Sequence, residues 1–89
     1  MERMKVTDGE WVFQGTPTEI LAQMKDVAWS DAKTLDEWMT EVAQRVWRFH
    51  GIGIDLGSGT TEERAEKLLR GLLAHGLLKP MEGKDDGHG

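Results

Sequence analysis

The chain has 89 residues, 38% hydrophobic and 30% charged, which suits one small globular domain and excludes a disordered polymer. Its formal charge of −5 disfavours nucleic acid, whose binding depends on Lys and Arg meeting phosphates. Without cysteine it has no disulfide, no thiolate zinc site and no thiol nucleophile.

Residues 4–13 predict a β-hairpin. Asp8-Gly9 is a favoured two-residue turn and sets Val6 opposite Trp11 and Met4 opposite Phe13. Met4, Val6, Trp11 and Phe13 then share one apolar face, with Val12 the apolar exception on the other.

Three helices follow, each opening on Thr-x-x-Glu, the pattern in which Thr caps the third helical amide and Glu reaches back to the Thr amide. The first starts at Thr16-Pro17-Thr18-Glu19 and places Ile20, Leu21, Met24, Val27 and Ala28 on one face. The second starts at Thr34-Leu35-Asp36-Glu37. Its apolar stripe runs Leu35, Trp38, Met39, Val42, Val46 and Phe49, widened by Ala43 and Trp47, and Gly51 stops it. Such a width predicts two packing neighbours. The third starts at Thr60-Thr61-Glu62-Glu63, buries Ala65, Leu68, Leu69, Leu72 and Leu73, and ends at Gly76.

Between the second and third helices, Ile52-Gly53-Ile54-Asp55-Leu56 alternates with period two and reads as a third strand. Leu77-Leu78-Lys79 could add another short strand before Pro80. The expected class is α+β: a small ββααβα domain with a mainly antiparallel three-stranded sheet, one face covered by three helices. The domain should span residues 1–81, with residues 82–89 a disordered tail too polar to bury anything. No apolar run suggests a leader or membrane anchor, and a cytoplasmic location is the expectation.

One string carries ligand chemistry. Ile52-Gly53-Ile54-Asp55-Leu56-Gly57-Ser58-Gly59-Thr60-Thr61 resembles the first phosphate loop of the actin-like and sugar-kinase ATPases, where a strand bearing Asp enters a Gly/Ser/Thr turn. That likeness implies glycines that admit phosphate to backbone amides and an Asp that works with metal and water. It covers ten residues, and it departs from the family where the capping box starts a helix instead of a second strand. A more general reading keeps Gly57, Ser58, Gly59, Thr60 and Thr61 as an anion site at a helix N-terminus. Against it, Gly57 and Gly59 could simply turn the chain while Thr60 caps the helix, with Glu62 and Glu63 already on the positive end of the dipole.

Other chemistry is sparse. His50 and His75 each precede a Gly in a last helical turn, where a cation is favoured by the dipole, and no His-x-x-x-His spacing points to metal. His88 belongs to the tail. Arg64, Lys67 and Arg70 interleave with Glu63 and Glu66, and Glu41 precedes Arg45 by four, which reads as ion pairing on solvated faces. No nucleophile elbow and no catalytic set emerge, and no cofactor is implied. Trp11 and Trp38 fall on core faces. Trp29, at a helix end, and Trp47, at a stripe edge, are the candidates for a contact surface; the alternative, favoured for Trp47 and evenly balanced for Trp29, is that they cap the core between the first two helices and the sheet. The expectation is a non-enzymatic interaction or regulatory module with a protein partner or a second copy of itself, and the alternative is an anion- or nucleotide-phosphate-binding domain.

Overall fold

A computed structural model describes residues 3–81; the predicted tail at 82–89, with His88, lies outside the described residues. The elements are β1 (Met4–Thr7), β2 (Val12–Gly15), α1 (Pro17–Val27), α2 (Leu35–His50), α3 (Thr61–Ala74) and β3 (Lys79–Pro80). Three antiparallel strands in one sheet and three helices make an α+β domain.

The hairpin forms with a longer turn than Asp8-Gly9 predicted. Val6 pairs with Phe13 and Thr7 with Val12, so residues 8–11 make the connection. The local reason is the Asp8 side chain. Its Oδ1 accepts from the amides of Glu10 and Trp11 at 2.9 and 2.8 Å, while Thr7 Oγ1 donates to the Trp11 carbonyl at 2.6 Å. Those bonds close an Asx-type turn and fix the register two residues away from the tight-turn alternative. A shift of two preserves the faces, so Val6 and Phe13 are still buried together. Trp11 leaves the core face for the loop and is 51% exposed.

The third sheet position also differs from expectation. Residues 52–56 carry no strand pairing; Lys79–Pro80 pairs with β1 instead, giving the order β2-β1-β3. The alternation in 52–56 is nevertheless real. Leu56 is buried and Ile52 and Ile54 half-buried, while Gly53 and Asp55 are exposed. The inward side chains face helices, not strands. A Cβ on Gly71 of α3 would lie 3.0 Å from three side-chain carbons of Ile54, so a residue without a side chain lets this segment lie against α3.

All three Thr residues cap as expected, but the boxes are not equal. Thr16 and Thr60 accept from the amides of Glu19 and Glu63, and each Glu reaches back to its Thr amide at 2.9 Å. Thr34 accepts from Glu37 in the same way, yet Glu37 takes the amide of Lys33, one residue earlier. The residue before the cap accounts for the difference. It is Gly15 or Gly59 in the complete boxes, and any side chain there would collide with the returning carboxylate. Before α2 it is Lys33.

The core is one cluster. Val6 and Phe13 from the sheet, Ile20 and Leu21 from α1, Trp38, Met39 and Val46 from α2, and Ala65, Leu68, Leu69 and Leu72 from α3 are all buried, with Leu56 and Leu78 closing it. α1 packs on β2 and α3, and α2 packs on α3 and α1. The two neighbours predicted for α2 are therefore helices. Phe49, placed in the stripe by periodicity, is 69% exposed, because the last turn of α2 runs beyond those neighbours. Ala28 is likewise exposed, as the C-cap of α1.

Candidate surface on the second helix

The exposed side of α2 carries two hollows. A groove of about 730 Å³ lies between α2 and the segment 53–56. Ala43, Ile54 and Leu56 supply its apolar lining, Trp47 stands in its wall, Arg48 brings positive charge to it, and Arg64 lines it with its own charge paired elsewhere. A smaller hollow of about 360 Å³ is lined by Glu41, Arg45 and Phe49. Gln44 and Arg48 line both, so the i, i+4 row they form is a ridge with a hollow on each side. Trp47 is 64% exposed. Two large aromatic rings left in water next to open hollows cost hydration free energy that a partner would recover.

Arg64 is positioned from the other helix. The sequence placed it on the outer side of α3; it instead crosses to α2, with a guanidinium N 2.8 Å from Asp36 Oδ1 and another donating to Thr40 Oγ1 at 3.1 Å. Thr61 Oγ1 donates to the second Asp36 oxygen at 2.7 Å. The planar fork of Arg suits this double contact. Only Arg70–Glu66 forms as a within-helix ion pair among the described residues; Glu41 and Arg45 do not pair.

Trp29 stands elsewhere, in the connection that enters the N-terminal end of α2, whereas Trp47 sits in its last turn. Trp29 is 92% exposed and has φ 55°, the one positive φ outside glycine among the described residues. It follows the C-cap Ala28, where Gly is usual. Trp29 and Trp47 thus belong to different parts of the surface.

In the predicted anion loop two backbone amides, those of Gly57 and Thr60, are taken by side chains of the chain itself. Asp55 Oδ1 accepts from the Gly57 amide at 2.9 Å, Glu63 accepts from Thr60, and Thr60 accepts from Glu63. Gly59 makes room for the Glu63 carboxylate, and Gly57 adopts φ 72° beneath the end of Lys67. Ser58 and Gly59 are exposed at the turn, and Thr61 is turned towards Asp36. In the ATPase family this string resembles, the loop joins two strands; here 52–56 is unpaired and leads into α3. His50 ends α2 and His75 caps α3, on separate elements. No group of three metal-ligating side chains occurs among the described residues. No helix there is long and apolar enough to cross a membrane.

Compared with protein-family models, with curated proteins and with solved structures, the chain matches none of them.

Proposed function

We propose that this domain is a non-enzymatic protein-interaction module, acting in the cytoplasm, whose contact surface is the exposed side of α2 around Trp47. The observation that carries the proposal is the ridge of Gln44 and Arg48 flanked by two open hollows, with Trp47 and Phe49 standing in water beside them. Interface centres are enriched in Trp and Arg, and a small pocket floor next to a large aromatic is the usual shape of an energetic anchor point. Trp29 is a second exposed anchor at another place, held at some backbone cost.

The test compares the full chain with Trp47→Ala and Trp29→Ala as baits in lysate from its native source, after circular dichroism shows each bait folded. Neither ring supports the core, so both variants should keep the wild-type thermal transition to within about 0.5 kcal/mol. Retained protein should fall at least tenfold with Trp47→Ala. A wild-type chain that retains nothing and sediments strictly as a monomer contradicts the proposal.

A further inference from the structure

The charges of α2 run in one order. Asp36, Glu37 and Glu41 occupy its first half, and Arg45, Arg48 and His50 its second. Asp36 is held by Arg64 and Thr61, and Glu37 caps the helix start. Glu41, Arg45 and Arg48 form no ion pair among the described residues, although Glu41 and Arg45 have the spacing for one. On the outward face itself, Glu37 and Glu41 precede Arg45 and Arg48, while Asp36 and His50 lie off it. An acidic stretch followed by a basic one on that face is self-complementary when two such helices run antiparallel.

From this we infer that the contact surface receives a second copy of this chain, α2 against α2, about a two-fold axis near Gln44; the inference rests on the interaction reading above. At 100° per residue, Glu41, Gln44 and Arg48 lie on the side of α2 opposite Met39, Val42 and Val46. Opposed helices centred on residue 44 bring position 41 against positions 47 and 48. Glu41 then meets Arg48 of the partner subunit, and the symmetry makes that contact twice. The Gln44–Arg48 ridge of each copy enters a hollow beside the ridge of the other, which is how helices interlock. The macrodipoles also oppose favourably. A helix of 16 residues is about 24 Å long, and with its flanking aromatics it covers an area near the lower end for specific complexes, about 1,000 Å² in total. The dimer should therefore depend on concentration, and salt should weaken it.

Sedimentation velocity over a concentration series tests this on the full chain. Wild type should pass from 10.0 kDa to twice that mass as concentration rises. Glu41→Arg and Arg48→Glu should each weaken dimerisation at least tenfold, because each sets like charges against one another at both contacts. Mixing the two variants in equal amounts should restore the dimer, since one chain then offers two Arg and the other two Glu. Circular dichroism confirms that each variant is folded. Singles that dimerise as wild type does, or a mixture that stays monomeric, overturn the inference. A wild-type monomer at every concentration that still retains another protein through Trp47 overturns the second-copy inference and leaves the interaction module standing; a monomer that retains nothing overturns both.

Discussion

Trp29 and Asp8 show how much local geometry one side chain can decide. With φ 55° Trp29 occupies a left-handed position that costs a residue bearing Cβ about 1 kcal/mol, and at 92% exposure it recovers little by burial. Trp29→Gly should therefore raise unfolding free energy by at most about 0.6 kcal/mol once the extra freedom of glycine in the unfolded chain is subtracted. Urea denaturation measures it, and a loss of stability would mean that the ring packs in a way its exposure does not show. Asp8 acts through hydrogen bonds. The amides of Trp11 first and Glu10 second hold its carboxyl below the ordinary value of 3.8. A carboxyl that is more acidic in the folded state stabilises fully above its unfolded pKa, and that contribution is lost as pH falls through the lower folded value. Asp8→Asn keeps an acceptor but no charge. It should cost more stability at about pH 7 than at acid pH below the folded value, where both chains carry a neutral group. A difference independent of pH would contradict the assignment.

Among the elements, the helix starts were the most legible part of the sequence, because a cap is local: Thr, its distance to Glu and the following apolar period lie within a few residues. The distinction between complete and shifted boxes was written in the chain as well, in Gly15 and Gly59 against Lys33. It has a direct test. Gly59→Ala should displace the Glu63 carboxylate from the Thr60 amide and lower stability by about 0.5–1 kcal/mol, the scale of one exposed hydrogen bond, with the Thr60 cap itself kept. Thermal unfolding reads the loss; a fully retained transition would show that Glu63 finds the amide from another rotamer. Strands were less legible for a physical reason. Period-two burial at Ile52, Ile54 and Leu56 reports an extended segment with one covered side, and it is silent about what covers it. Here Gly71 opens a place on α3, and the sheet takes Lys79–Pro80 from much later in the chain. The hairpin erred in a related way. Asp-Gly suggested the tightest turn, while the Asp8 carboxylate favoured a wider one.

At the scale of the whole molecule, the class and the single core follow from pattern and composition, whereas the exposure of Trp47, for which the pattern favoured core packing, does not. The contact surface itself does not follow either, since it is made by α2, segment 53–56 and an arginine brought across from α3. Two of its features were hidden for the same reason. Phe49 continues the apolar stripe in sequence but outruns its neighbours, and Arg64 has the spacing of a solvated face but reaches Asp36. The Gly57–Thr61 loop shows the reverse: a suggestive string in which Gly59 and the Thr60 hydroxyl serve the cap of α3 while Gly57 turns the chain beside Lys67. One measurement addresses where a partner sits without knowing what it is. A photo-crosslinking amino acid is placed at Gln44, on the ridge, and separately at Gln14, on the exposed face of the sheet, and each protein is irradiated in its native lysate. Covalent adducts at position 44 and none at 14, with an adduct of twice 10.0 kDa if the partner is a second copy, are the expected result. Adducts at 14 alone, or at neither position, would contradict the assignment of the α2 face.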